Sequence, residues 1–483
     1  MKKNYLYNLS LSITNILFPI LSFPYAARIL GPQGIGKVQL ASSFAQYFAL
    51  FAALGIPIYG IQEIAKIRHN KNKLDAVFSE LLLIYFGTSI LVSLIYGIVI
   101  FSFPFFRPNI ELYCYAGLII LLGFSSIDWL YSGLEDFKSL ALRTIVVKLM
   151  ALVFLYFFVK DVDDYHSYLF VTIFALIGNN IINFLMIKGK AALMLPGREL
   201  LRHLKPLFYL FSTTVAASMY AILDTVLLGF MSNEKSVGLY TAAIKLSKVS
   251  LPFVTSIGVI LIPRISKHMA EGAKETVQEL LDSSYHFIAF FCIPIVAGLM
   301  ILAPEFISVF SGEQFMEASF CMRIVSFLPL LIGFGHFFAF QVLVPGGKYK
   351  QMFIAAVWGV VCSVVLNLVL VPFYRENGTA LTNIISELLV TLIYFVFVRK
   401  YFSYTYQWHF LGKALLCSLF FLPVIWLVRM LGMVPLFTLA ISISVCALVY
   451  FVSQWLLFKD KLVSKIIGMV MGRLSLIKNI RNT

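Results

Sequence analysis

Charge is what this chain has least of. Asp, Glu, Lys and Arg make up 13% of its 483 residues, about half the share in an average soluble protein. A soluble fold of this length would need more polar cover than that. Acidic residues are the scarcer sign, 23 against 38 Lys and Arg, which leaves a net charge of +15. The six cysteines, Cys114, Cys292, Cys321, Cys362, Cys417 and Cys446, show no CxxC spacing. That argues against a thiol redox motif or a zinc ribbon and leaves small packing residues. No P-loop, no ATPase module and no extended catalytic loop occurs in the sequence.

Long apolar runs take the place of charge. The chain is 60% hydrophobic, with a mean hydropathy of +0.90. Runs able to cross a hydrocarbon core, roughly 20 residues as helix, recur fourteen times: 8–30, 38–60, 76–103, 112–134, 142–160, 167–188, 206–231, 238–263, 284–309, 320–344, 351–374, 378–398, 413–431 and 434–458. Only helices satisfy their own backbone at this length, so an all-α polytopic membrane protein is expected. The first run lacks a small-residue cleavage site and is expected to be retained. With the N-terminus inside, most Lys and Arg fall in cytoplasmic segments, such as Lys66, Arg68, Lys71 and Lys73, while Asp161, Asp163 and Asp164 fall outside. This is the positive-inside bias. Both termini are then cytoplasmic, and the basic balance reports topology rather than a nucleic-acid partner.

The chain also repeats itself weakly. "RILGPQGIGKVQLAS" (28–42) is answered by "VLLGFMSNEKSVGLYTAA" (226–243), each a span end, Leu-Gly, a short loop and a Gly entering the next span. Six spans separate the copies, so the halves are expected to be parallel repeats. The expected organisation is a six-helix bundle over 1–188, an amphipathic cytoplasmic linker over 189–205, and a second six-helix bundle over 206–400. Two further spans (401–458) and a basic amphipathic tail (459–483) complete it. The tail is suited to the anionic lipid surface.

"YAARILGPQGIGKVQLASSFAQYF", "LGIPIYGIQEIAKIR", "DWLYSGLEDFKSLALRTIVVK", "LIPRISKH", "FSGEQFMEAS" and "VPFYRENGTALTNIISELLV" together resemble the oligosaccharide flippase family, the Wzx-type O-antigen transporters. Its superfamily also contains MATE drug exporters and lipid II flippases. The resemblance runs from residue 1 to about residue 400. It implies a MATE-like pair of bundles opening alternately to each side of the bacterial cytoplasmic (inner) membrane. It also implies an undecaprenyl-pyrophosphate-linked oligosaccharide as substrate, moved to the outer leaflet for O-antigen or capsule assembly. Candidate protein partners are a polysaccharide polymerase and a chain-length regulator. No cofactor is expected beyond a coupling proton or sodium ion.

Ionisable residues inside hydrocarbon are costly and mark function by default. On the eighth span Thr241, Lys245, Lys248, Pro252 and Thr255 follow steps of four and three, one face of a helix. A shift of 202 residues gives Gln39, Ser43 and Gln46 on the second span. The two faces are expected to look at each other across a central cavity, with Lys248 near mid-membrane as a point charge for pyrophosphate. Lys245 either stands beside it or pairs with Asp224. Asn15 belongs to a polar stripe on the first span with Ser12 and Ser22. Pro19 and Pro24 should then interrupt that helix, which leaves the direction of Arg28 open between a fork onto phosphate and an interfacial anchor.

Glu387, in the series Thr379, Asn383, Glu387 and Thr391, is the first candidate for ion coupling, a neutral structural Glu being the alternative; Asp224 is the second candidate. Asp128 and Lys148 match in depth, which suggests a structural ion pair or, alternatively, a gate. No catalytic or metal-ligating set emerges. Three functions compete: the flippase; a MATE-type multidrug exporter, or a flippase of another precursor such as lipid II; and a membrane enzyme of the same pathway. Two lysines on one face argue against an exporter of organic cations, and short outer loops argue against a polymerase or ligase.

Overall fold

The structure, a computed structural model, describes residues 2–187, 189–194, 198–460 and 462–464. Among the described residues no strand occurs. The helices are α1 (Lys2–Ala53), α2 (Ile56–Ile67), α3 (Lys71–Ser102), α4 (Ile110–Ala116), α5 (Leu118–Leu121), α6 (Asp128–Gly133), α7 (Phe137–Phe158), α8 (Tyr165–Leu185) and α9 (Leu204–Met231). They continue with α10 (Glu234–Lys248), α11 (Leu251–Ala270), α12 (Lys274–Ile301), α13 (Ala303–Ser311), α14 (Ala318–Val325) and α15 (Leu328–His336). The last are α16 (Tyr349–Tyr401), α17 (His409–Leu419), α18 (Phe421–Met430) and α19 (Pro435–Phe458).

Eleven helical stretches among the described residues are long and apolar enough to cross a membrane. Two of them, Ser10–Ile67 and Tyr349–Tyr401, each hold two spans joined at a kink, at Gly31 (φ 64°) and Arg375 (φ 49°). With α9 added, the fourteen expected spans are accounted for. Their outer faces stay apolar: Leu94, Ile98 and Phe101 on α3 are 62%, 67% and 68% exposed. Such faces suit lipid tails.

By packing, the chain forms two compact units, Met1–Thr241 with Val360–Thr382 and Ala242–Gly359 with Asn383–Thr483. The units cut the chain differently from the sequence repeat, because α9 packs along α1: Leu40 fills the space beside Gly229, and Phe230 meets Phe44 edge-on at 5.7 Å. The first unit has its core around Ile56, Ile64, Phe78, Trp129 and Tyr131. In the second, Tyr285, Ile288 and Phe337 form one core; Phe290, Cys417, Phe421 and Tyr450 form another, where α17 to α19 seat on α12.

Two local expectations change. The helix ladder of α1 runs on through Pro19 and Pro24, and the break falls at Gly31, where glycine tolerates a left-handed φ that other residues rarely take. The eighth span is two helices, α10 and α11, meeting at Val249–Ser250, with Pro252 in the first turn of α11. The stripe from Thr241 to Thr255 therefore crosses a joint rather than following one helix. The described part of the linker is strapped onto α3.

That strap uses polar positions of α3 about one turn apart. Asp75 accepts the Ala192 N–H at 2.9 Å, Ser79 Oγ accepts the Met194 N–H at 2.8 Å, and Lys71 Nζ donates to the Lys190 carbonyl at 2.7 Å. Glu80 Oε2 takes Arg202 Nη2 at 3.0 Å and His203 Nε2 at 2.8 Å, and His203 Nδ1 meets the Tyr59 hydroxyl at 2.8 Å. Lys190 also pairs with Asp136. Burial pushes the Asp136 carboxyl up, but hydrogen bonds from Lys190 and Ser139 hold it below its ordinary value. The expected basic tail lies outside the described residues apart from 459–460 and 462–464.

Candidate functional site

α1 carries the first group of candidates. Arg28 is exposed, whereas Ala26, Ala27 and Leu30 around it are buried. Helical phase therefore survives to Arg28 and turns it away from the packed side. Beyond the kink, Gln39 donates to Ser43 Oγ at 2.9 Å, and Gln46 is half-buried. Asn15 accepts a hydrogen bond from Lys148 on α7, and Lys148 also lies 5.4 Å from the centre of the Phe18 ring.

The expected Asp128–Lys148 ion pair is not formed. Asp128 takes the side-chain amide of Asn183 on α8 instead. The fourth span is broken: α4 and α5, a 3-10 turn over Gly123–Ser125 and α6 follow one another, so depth counted along one continuous helix does not place Asp128. The buried cation of α7 is Arg143, which stacks 4.1 Å from the centre of the Tyr131 ring and donates to the Ser139 carbonyl at 2.8 Å.

Lys245 and Lys248 are half-buried in the last turn of α10, and Lys248 is its final residue, beside the Val249–Ser250 joint. Ser247 between them is fully buried and donates to the Val325 carbonyl at 2.7 Å, which fixes the end of the helix. Glu387 is 7% exposed, and Thr379, Asn383 and Thr391 of its series are buried too. Thr391 is tied to the Leu331 carbonyl at 3.1 Å.

Asp224 on α9 is fully buried in the first unit. Ser363 Oγ donates to its Oδ1 at 2.7 Å and Asn367 Nδ2 donates to the same atom at 2.8 Å. Ser363 and Asn367 are themselves fully buried, and among the described residues Asn367 Oδ1 has no hydrogen-bond partner. An oxygen left over in a buried polar cluster is a place for a proton donor or a cation. The sequence signal was present: Ser363 and Asn367 are one helical step of four apart within "VVCSVVLNLVL". Asp224, however, could be matched in depth only along its own hairpin.

Residues 1–269 match the family model described as polysaccharide biosynthesis protein. An Escherichia coli (strain K12) protein named "Putative O-antigen transporter" is 26% identical over 424 residues, 83% of this chain and 97% of that one. Among solved structures, a lipid II flippase MurJ in an inward closed conformation aligns with a TM-score of 0.73 at 17% identity, over 94% of this chain and 99% of that one. An inward-facing MATE-family multidrug resistance transporter aligns with a TM-score of 0.63 at 16% identity, over 82% and 97%. Both likenesses concern the fold, which is the MATE-like architecture expected from the resemblance.

Proposed function

Because this chain belongs to the polysaccharide biosynthesis protein family and is an integral membrane protein, we propose that it is a flippase for lipid-linked oligosaccharide. Its substrate is an undecaprenyl-pyrophosphate-linked repeat unit, carried from the cytoplasmic to the outer leaflet of the bacterial inner membrane. The work is translocation, with no bond made or broken. The carrying observation is the pair Lys245 and Lys248, one turn apart in the apolar stretch Glu234–Ala270. Two cations that close favour a polyanion such as pyrophosphate; in the first unit, Arg28 carries a guanidinium of the kind that forks onto phosphate oxygens. Gln39, Gln46 and Asn15 supply neutral hydrogen-bonding groups suited to sugar hydroxyls.

Transport against the leaflet preference needs a driving gradient, and Asp224 is the residue we assign to it. Its carboxylate, Ser363 Oγ and Asn367 Oδ1 offer oxygen ligands suited to sodium, or a proton could load the carboxylate. Glu387 is the alternative carboxylate. Both termini are assigned to the cytoplasm by the basic loops, and a polymerase and a chain-length regulator are the natural partners downstream.

The test is a leaflet assay on cells lacking the protein. Lipid-linked oligosaccharide should collect on the cytoplasmic leaflet and clear when the wild-type gene is restored. Drug sensitivity without that accumulation would point to an exporter instead.

A further inference from the structure

The second unit holds a cavity of about 570 Å³ that the transport reading leaves unused. Its charged wall is Asp282, His286, His409, Lys413, Lys459 and Asp460. The volume lies within the usual range for small-ligand sites. α17 begins at His409 and α19 ends at Phe458, so the wall stands where apolar spans give way to polar chain. That is the level of lipid headgroups.

Both carboxylates already have partners. Asp282 Oδ1 accepts from the Tyr404 hydroxyl and from Gln278 Nε2, each at 3.0 Å. Asp460 Oδ2 meets His286 Nε2 at 2.8 Å, while its Oδ1 accepts the Leu462 N–H at 2.8 Å. The His286 ring is stacked on Phe410 with centroids 4.0 Å apart, so this floor is fixed. The lysines differ. Among the described residues neither Lys413 nor Lys459 forms an ion pair with a carboxylate. Lys413 Nζ rests 5.6 Å from the centre of the Phe458 ring and 6.0 Å from that of Phe410. Lys459 closes the end of α19 in a left-handed conformation, φ 46°, and is exposed.

Two lysines without an ion-pair partner among the described residues, one of them set over aromatic rings, match at headgroup level an oxyanion with several acceptor oxygens. We propose that this cavity binds the phosphate group of a membrane amphiphile, with Lys413 and Lys459 as its ligands and the His286–Asp460 pair as the fixed floor. Two lipids carry that chemistry, an anionic glycerophospholipid and a polyprenyl pyrophosphate. The inference does not depend on transport, because it is read by binding.

The experiment places the full-length chain in phosphatidylcholine nanodiscs and adds phosphatidylglycerol or polyprenyl pyrophosphate, with retained lipid measured by native mass spectrometry. The Lys413→Gln/Lys459→Gln variant should bind roughly thirtyfold more weakly, and Lys413→Arg/Lys459→Arg should bind as the wild type does. Retention of phosphatidylglycerol assigns the site to bulk lipid; retention of polyprenyl pyrophosphate alone assigns it to the diphosphate lipid. If the double variant fails to fold, Lys459→Gln alone, at an exposed position, should still weaken binding about fivefold. Binding unchanged in the Gln variants, or no preference of the wild type for either anion over phosphatidylcholine, overturns the proposal.

Discussion

Gly36 and Gly238, 202 residues apart, each sit where the backbone of the other's loop passes. A Cβ on Gly36 would lie 2.6 Å from the carbonyl carbon of Glu234, and one on Gly238 would lie 2.7 Å from that of Pro32. These are the two loops that echo each other in the sequence. The repeat thus closes on itself within the first unit, each copy supplying the glycine that the other copy needs. Glu234 is held in addition by Asn109, whose Nδ2 donates to its Oε1 at 2.7 Å.

Gly36→Ala and Gly238→Ala should each destabilise the protein by about 1–3 kcal/mol, since backbone rather than a side-chain end must move. Because both relieve the same approach, the double variant should lose less than the sum of the two. Thermal midpoints of the purified protein in detergent decide it, and strict additivity would show that the loops do not share one contact.

Asp224→Asn keeps the shape of the buried cluster and removes its charge. Gradient-driven translocation should stop while the amount of folded protein in the membrane stays near normal. Ser363→Ala and Asn367→Ala should raise the ion concentration needed for half-maximal transport, by roughly tenfold if each removes one oxygen ligand worth about 1.4 kcal/mol. Glu387→Gln should leave coupling intact. The opposite pattern would transfer the role to Glu387.

The spans were legible because hydrocarbon thickness imposes a length that composition alone reveals. What hydropathy could not supply was helical phase. Counting steps from Thr241 to Thr255 assumed one helix where Val249–Ser250 divides two, and pairing Asp128 with Lys148 assumed a continuous fourth span. Pro19 and Pro24 erred the other way: their rings were accommodated and the break moved to Gly31. Partners across different spans, such as Ser363 and Asn367 for Asp224, depend on tertiary packing that no single stretch encodes.

Glu80→Ala should loosen the linker strap. It removes the shared acceptor of Arg202 and His203 and leaves the buried imidazole with the Tyr59 hydroxyl and a long contact from Arg202 Nε, 3.4 Å. A loss of about 1–3 kcal/mol is expected, and trypsin should cut at Lys190 or Arg202 markedly faster than in the wild type. Tyr59→Phe removes one hydrogen bond and should cost about 1 kcal/mol. Unchanged cleavage in Glu80→Ala would mean that Asp75 and Ser79 suffice.

Asp136 and Asp460 set the acid limb of stability outside the spans. In both, burial raises the carboxyl, but hydrogen bonds, from Lys190 and Ser139 or from His286 and backbone N–H groups, bring it below the ordinary value of 3.8. A carboxyl lowered in the folded state adds stability above its unfolded value and loses it as pH falls through the folded one. Their contribution should hold from neutral pH down to about pH 4 and disappear below that. Asp136→Asn and Asp460→Asn should lower the thermal midpoint at pH 7 and flatten the fall in acid. A mutant midpoint equal to the wild type at pH 7 would remove that residue from the account.

Lys248 gives the sharpest test of the substrate assignment. A lysine carried into the hydrocarbon region costs about 2.5–3.5 kcal/mol on insertion scales, so its retention at the end of α10 calls for a use of the charge. It is half-buried, it ends a helix at a joint, and Ser247 anchors the preceding turn through Val325. The ammonium is thus set on a firm backbone at a point where two helices can change their angle. If it binds pyrophosphate, Lys248→Gln should cut surface polysaccharide strongly while folded protein in the membrane stays near normal. Lys248→Arg should recover part of the loss, because the charge survives and only its shape changes. A purely structural ion pair makes a different pattern, since breaking a buried pair costs about 3–5 kcal/mol and would deplete the protein itself. Quantifying folded protein and surface polysaccharide in the same cells separates the two, and normal polysaccharide with Lys248→Gln would remove Lys248 from the substrate's path.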